Sequence, residues 1–382
     1  MINRERLVTE FMELVRVDSE SRREAPMSDL LRDKLQQLGF IVYVDDAGSK
    51  TGSNTGNLIA RLPGSEDVAA AIMFSAHMDT VSPGRSINPV EENGIIRSDG
   101  TTVLGADDKA GIAAILEAVR VVREQKLPHG DLELVFTICE EMGLLGVKYL
   151  DFSRLTARMG YVLDSNGPAG SIINQGPSQD EIYAEMLGVA AHAGINPEDG
   201  VNAVQVASRA IAGMQLGRID HETTANIGII SGGVAINIVP DKVMIKGETR
   251  SLQEQKRIEQ TRKICEALEK AAREGGAQVQ VRVETMYPTM NVPADAPVVQ
   301  LAQKAALDLG LQPVVMSTGG GSDTHIFNQH GISAVNLGIA MQKVHTTDEF
   351  ITVSDLVLDA SYVLAIINTA AGWGTGKGAS SF

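Results

Sequence analysis

Two histidines and three carboxylates stand one at a time along the chain, each read as closing an apolar strand. They are His77 in FSAHMDT, Asp107 in GADDKAG, Glu141 in TICEEMG, Asp164 in YVLDSNG and His345 in KVHTTDE. Imidazole nitrogens and carboxylate oxygens are the ligand set of zinc, cobalt or manganese. A pair of such ions needs one carboxylate to share, plus an imidazole and a further carboxylate for each. Asp107 is the natural bridge. It lies in a tight turn opened by a glycine, and the positive end of the helix that follows favours its ionised form. His77 and His345 supply neutral imidazole. Asp79, two residues beyond His77, is placed to orient that ring. Two metals about 3.5–4 Å apart activate a shared water and polarise the carbonyl it attacks.

The adjacent pair Glu140 and Glu141 bears most directly on mechanism. Neighbouring residues at a strand end point to different sides, so one can bind metal while the other faces the attacking water. Glu141 is assigned to metal and Glu140 to general base and proton shuttle. In the other acidic pair, Asp108 beside Asp107 reads either as a turn or helix-cap residue or as part of the site. An HxD or a Glu-Glu pair alone is more often structural or solvated. Five ligand-type residues that all follow apolar strands favour a built site, because ligands in open α/β sheets sit beyond the carboxyl ends of the strands. Cys139 reads as a buried, inert thiol in an apolar strand, and His129 and His221 as plain loop histidines. No Lys-Ser/Thr follows Gly319–Gly321, so that turn is read as backbone approaching a substrate rather than as a phosphate cradle.

The elements that must position these residues are short, apolar and rich in β-branched side chains. Ala71–Ala76, Leu132–Ile138, Tyr161–Leu163 and Ala334–Ile339 read as buried strands of a largely parallel sheet. Helical spacing covers residues 3–16, 27–38, 108–124 and 296–309, with a closing helix near 354–370. Further strands are expected at FIVYVDD and at Asn57–Arg61, which a turn at PGSED separates from Ala71–Ala76. The alternation argues for an α/β sandwich with helices on both faces. After Gly176 the order becomes strand, helix, two strands, helix, strand, the split layout of ferredoxin-like domains. The predicted organisation is a larger domain in two parts, 1–176 and 289–382, which carries the candidate site, with a smaller βαββαβ domain at 177–288 inserted between them. The tail from Gly372 onward is Gly/Ser-rich and is expected to fray.

Composition sets the remaining bounds. The 382 residues are 43% hydrophobic and 21% charged, which is globular, and long enough for two domains. A formal net charge of −15 disfavours nucleic acid and anionic membranes as partners. The first turns lack the apolar stretch of a signal peptide. No run is read as reaching the roughly 20 apolar residues that cross a bilayer. Cys139 and Cys265 are far apart and imply no disulfide framework. The cytoplasm is the expected compartment.

At these motifs the chain resembles the M20 metallopeptidase family, and most closely its peptidase T branch. The matching segments include SAHMDTV, DGTTVLGADDKAGIAAILEA, ICEEMGLLG, VLDSNG, GVAAHAGINPEDGVNA, GGVAINIVPD, GETR, GGGSD and VHTTDEF, in family order across nearly the whole chain. The resemblance implies an α/β catalytic domain with a βαββαβ lid that commonly dimerises. It implies two divalent metals, zinc foremost: one held by His77 and Asp164, the other by Glu141 and His345, with Asp107 shared. It implies a cis peptide bond between Asp107 and Asp108. It further implies that His192 stabilises the oxyanion, usually from the partner subunit, that Arg250 binds a substrate carboxylate, and that Asn237 hydrogen-bonds on the substrate side. An Asp at position 164 is similar to the peptidase members, where acylases and carboxypeptidases more often carry Glu. The chain departs from the branch in one respect: only 30 positions separate His77 from Asp107, fewer than in peptidase T chains.

The leading expectation is a two-metal exopeptidase that releases an amino acid from short peptides. The alternative is an amidohydrolase or carboxypeptidase acting on N-acyl amino acids, with Arg250 on the product carboxylate. M42-type aminopeptidases share the ligand layout, but their inserted domain is barrel-like, and the βαββαβ order speaks against them. From a different class comes a retired enzyme serving as a binding protein; against it, His77, Asp107, Glu140, Glu141, Asp164 and His345 are all competent residues.

Overall fold

The computed structural model describes residues 1–65 and 71–373. The expected turn at residues 63–67 and the expected fraying tail both run outside that range. The chain divides into two compact units. The first comprises Met1–Gln175, Asn291–Thr318 and the chain from Ser322; the second comprises Gly176–Met290 with Gly319–Gly321.

The first unit is built on a mixed sheet whose middle is parallel. Leu132–Thr137, Ile72–His77, Met159–Ser165 and Ser333–Gly338 lie side by side in that order, all in one direction. Every residue of Ile72–His77 and of Leu132–Thr137 is buried, as expected of strands covered on both faces. Leu58–Leu62 and then Ile41–Val44 extend the sheet antiparallel at one end. The helix Ala106–Gln125 packs on Ile72–His77 and Met159–Ser165, and Val353–Gly372, Arg4–Arg16 and Pro297–Asp308 complete a helical layer with it. Thr324–Gln329 packs on Met159–Ser165 and Ser333–Gly338, and Ala25–Gln37 on the antiparallel end.

Gly111 permits the close approach of the helix Ala106–Gln125. A Cβ there would lie 2.3 Å from Asp108 Oδ1 and 2.7 Å from the Leu163 carbonyl oxygen.

Several expectations need correction. Asp107 does not follow a strand. Irregular chain precedes it, and it opens the helix Ala106–Gln125 with non-helical φ and ψ at Asp107 and Asp108. His345 lies well past Ser333–Gly338, in a loop closed by paired hydrogen bonds between Gln342 and Phe350. Leu132–Thr137 stops before Ile138, so Cys139 is outside the strand, with φ 50°. A three-stranded sheet of Val90–Glu92, Ile95–Arg97 and Phe350–Thr352 was not expected. Its strands have three residues each, too few to show a period, and one pairing spans most of the chain. The helix Val353–Gly372 is long and apolar enough by length and composition to cross a membrane, contrary to the reading above. Its packing on Ala106–Gln125 and Pro297–Asp308 accounts for that composition, as for a core helix.

The second unit is an antiparallel sheet in the order Gly217–Arg218, Thr223–Gly232, Lys242–Ser251, Ser178–Leu187, Gln278–Tyr287. Ser178–Leu187 alternates buried with part-exposed positions along most of its length, the signature of a sheet covered on one face. The helices Ala203–Ala212 and Glu254–Gly275 pack on it, enclosing Ile182, Met186, Val243, Ile245, Ile264 and Leu268. Apart from the short Gly217–Arg218, the element order is the βαββαβ of a ferredoxin-like layout. Gly319–Gly321 joins this unit because a Cβ on Gly321 would lie 2.3 Å from the Tyr287 ring, so only glycine fits.

Candidate metal centre

The parallel strands deliver two of the five ligand-type residues directly. His77 is the last residue of its strand, and Asp164 the last but one of Met159–Ser165. Asn336 on the adjacent strand fixes Asp164 on both sides of its peptide: Asn336 Oδ1 accepts from the Asp164 N–H at 2.9 Å, and its amide donates to the Asp164 carbonyl at 2.6 Å.

Asp107 stands between the two histidines. Its Oδ1 lies 3.0 Å from His77 Nε2 and its Oδ2 3.2 Å from His345 Nε2. His345 Nε2 is also 2.8 Å from Glu141 Oε1. Donor atoms of His77, Asp107 and Asp164 all lie within 4.8 Å of one another, and so do those of Asp107, Glu141 and His345. The two groups share Asp107, one oxygen facing each. His77, Glu140 and Glu141 form a third cluster at the same spacing. The peptide bond between Asp107 and Asp108 is cis.

Asp79 meets the His77 ring through its backbone. His77 Nδ1 donates to the Asp79 main-chain carbonyl at 2.8 Å, while the carboxylate stands off at 3.5 Å. That bond leaves Nε2 to face Asp107. The Asp79 carboxylate instead accepts from the N–H groups of Glu140 at 2.9 Å and Glu141 at 3.3 Å, and from Ser21 Oγ at 2.7 Å. Glu140 and Glu141 accordingly open a 3-10 turn, Glu140–Met142, rather than ending a strand. Asp108 is not a helix cap. It is buried, and its Oδ2 accepts from the His77 N–H at 3.2 Å.

Electrostatics match a site built for cations. Burial opposes ionisation of Asp107, but hydrogen bonds from His345 and His77 outweigh it and hold the carboxyl below its usual range. Burial, and then the charge of Asp107, push Asp164 well up; burial and then Asp164 do the same to Glu140. Hydrogen bonds to Asp107 and Glu141 raise His345 to about 10. Crowded, desolvated carboxylates that resist ionising together are what a divalent ion would relieve, and the N/O donor set fits such ions.

Four residues outside the sequence expectations brace the candidate ligands. Glu349, Asn336 and Glu24 are buried polar side chains bonded to backbone beside the ligands, and Ser21 bonds the Asp79 carboxylate. For Glu349, the signal available was its place four residues after His345. Cys139 is a buried free thiol, and burial raises its pKa. His129 is buried, with Nδ1 bonded to the Gly130 carbonyl, whereas His221 is exposed.

His192, Asn237 and Arg250 belong to the second unit. His192 is exposed, and the Ala193 N–H donates to the Asn237 carbonyl at 2.9 Å, so those two loops are neighbours. Glu248 takes the Nε and Nη2 edge of Arg250, at 3.1 and 3.0 Å. Arg250 Nη1 lies 3.3 Å from both the Tyr287 hydroxyl and the Gly319 carbonyl, which puts the glycine turn beside the guanidinium.

Residues 73–369 match peptidase family M20/M25/M40. The chain is 46% identical to the YqjE protein of Bacillus subtilis (strain 168), over 97% of its own length and all of that protein. An aminopeptidase PepT from Bacillus cereus ATCC 10987 superposes with a TM-score of 0.90 at 48% identity, covering 97% of this chain and 99% of that one. A tripeptidase from Staphylococcus aureus subsp. aureus Mu50 superposes at 0.94 with 40% identity, covering 97% and 100%. The chain therefore belongs to the M20 peptidases and is a hydrolase of peptide bonds, of the peptidase T-like kind.

Proposed function

We propose that the protein is a cytoplasmic exopeptidase with two divalent ions, zinc by preference, that removes an amino acid from the amino end of short peptides, tripeptides foremost. The observation that carries this reading is the pair of overlapping ligand groups, each taking one oxygen of Asp107, with Glu140 beside them. His77, Asp107 and Asp164 would hold one ion, and Asp107, Glu141 and His345 the other. Two bound ions supply Lewis acidity toward the scissile carbonyl and a water acidic enough to attack it at neutral pH.

The side chains do the rest. Glu140, buried beside the candidate ligands, takes the proton of the attacking water on its ionised carboxylate and returns it to the leaving amine. Asp79 fixes the His77 ring through its carbonyl and the Glu140–Glu141 backbone through its carboxylate. Arg250 presents its Nη edge to the substrate carboxylate, with Glu248 holding the opposite edge in plane. His192 and Asn237 serve the oxyanion and the substrate backbone, His192 from the partner of a homodimer formed through the lid, residues 177–288. The names of the PepT and tripeptidase relatives support a free amino end and tripeptide length.

The test is release of amino acids from di- and tripeptides and from N-acetyl amino acids, on chelated and then zinc-reconstituted protein. Zinc-restored cleavage of peptides with free amino ends is expected. Preference for N-acetyl amino acids would replace the reading with an acyl-amidohydrolase, which would use the same Arg250 on its product. Peptide binding without any turnover in the metal-loaded protein would revive a binding role.

A further inference from the structure

Four consecutive main-chain N–H groups, from Ile138 to Glu141, each donate to a side chain from elsewhere in the first unit. Ile138 donates to Asn57 Oδ1 at 3.1 Å, Cys139 to Glu24 Oε1 at 3.0 Å, Glu140 to Asp79 Oδ1 at 2.9 Å and Glu141 to Asp79 Oδ2 at 3.3 Å. The physical need is plain. The strand Leu132–Thr137 has just ended, the 3-10 turn Glu140–Met142 has just begun, and these donors have neither ladder nor helix to bond. A donor removed from water and left unpaired loses the hydrogen bond it made to solvent, so each needs an acceptor. The chain leading into the turn is closely packed: a Cβ on Gly146 would lie 1.9 Å from the Ile138 carbonyl oxygen.

Neutral acceptors would satisfy the donors equally well. Two of the three side chains are carboxylates, and Glu24 is fully buried. Its Oε1 gathers the N–H of Arg22 at 2.9 Å, the N–H of Cys139 and the Cys139 thiol at 3.3 Å, while Oε2 accepts from Ser53. Glu24 thus ties the loop at the start of Ala25–Gln37 to the residue immediately before Glu140. Cys139 sits there with φ 50°, a left-handed conformation uncommon for a residue with a side chain. Its direction decides where Glu140 and Glu141 point.

We infer that Glu24 is a positioning residue for the reaction: by pinning Cys139 in the left-handed conformation, it sets the directions of Glu140 and Glu141 at once. The assignment of base and ligand to that pair rests on the function proposed above. Cys139 is accordingly a hinge pin whose thiol donates a hydrogen bond.

The experiment compares wild type with Glu24→Ala and Glu24→Gln, each confirmed folded by its melting curve, by steady-state peptide cleavage and by calorimetric titration with cobalt. Expected for Glu24→Ala is a fall in kcat of about 10–100-fold with KM near wild type, and a comparable weakening of one of the two cobalt sites. Glu24→Gln should recover part of both losses, because an amide oxygen can still accept from Cys139. A folded Glu24→Ala that binds both cobalt ions and turns over as wild type overturns the inference, as does a rise in KM alone. If Glu24→Ala does not fold, Glu24→Asp, one methylene too short to reach both Ser53 and Cys139, is read by the same two measurements and judged by the same outcomes. Wild type that binds two ions but cleaves no peptide removes the peptidase reading, and the cobalt titration then decides the role of Glu24 by itself.

Discussion

Glu349 Oε1 accepts the backbone N–H of Asp107 at 3.0 Å, while its Oε2 accepts that of Gly105 at 2.7 Å. One carboxylate from the far end of the chain thereby clamps the turn that presents Asp107, the residue common to both candidate metal groups. The same residue follows His345 by four positions, so the loop carrying one candidate ligand also fastens the turn carrying another.

Because both candidate metal groups use Asp107, loosening its turn should weaken both. Glu349→Ala is expected to lower affinity for both ions, by about 10–100-fold, and to destabilise the fold by about 1–3 kcal/mol for each donor left unpaired. Titration with cobalt and a denaturant melt read the two effects. Loss of one ion only would contradict a clamp on a shared ligand.

Glu140 should separate binding from chemistry. Glu140→Ala is expected to retain both ions and to lose about 10²–10⁴-fold in kcat, the usual worth of a general base. Metal content by elemental analysis, set beside single-turnover cleavage, gives the answer. Wild-type turnover would assign the proton transfer elsewhere.

Metal binding should be strongly pH-dependent. In the metal-free chain His345 is raised from the ordinary value of 6.5 to about 10 by its bonds to Asp107 and Glu141, and His77 is raised as well, burial being outweighed by its bond to Asp107 and by the nearby Asp79 carboxylate. A divalent ion needs both rings neutral, so binding expels their protons. Apparent affinity should therefore climb as pH rises from about 6 toward 9. Calorimetry in buffers of different ionisation heat counts the protons released. For the metal-free fold the sign reverses: the stabilisation from charged His345 is complete below about 6.5 and fades as pH rises through about 10.

Arg250 should read a free carboxylate. Arg250→Ala is expected to cost about 10–100-fold in kcat/KM on a tripeptide, the worth of a charged hydrogen bond, and much less on the same tripeptide with an amidated carboxyl end. Equal losses on both would show that the guanidinium serves structure rather than recognition.

What sequence alone determined is what local pattern can carry. Apolar β-branched runs such as Ile72–His77 and Leu132–Thr137 announce buried parallel strands, because a strand covered on both faces has no polar alternation to hide. The change of element order after Gly176 marks the second unit. His77 and Asp164 were legible as residues that an apolar strand rarely ends on by chance, whereas Asp107, Glu141 and His345 lie beyond any strand and were legible only through their motifs. Tertiary structure decided what depends on distant segments meeting. Glu349 bonding Asp107, Glu24 bonding Cys139, and Asn336 bonding Asp164 join residues that no periodicity relates. The roles of Asp79 and Asp108 also fell to it, since a carboxylate looks the same in sequence whether it caps a helix or accepts from a neighbouring strand. Buried backbone donors must be paired, and only the folded chain determines which side chain arrives to pair them.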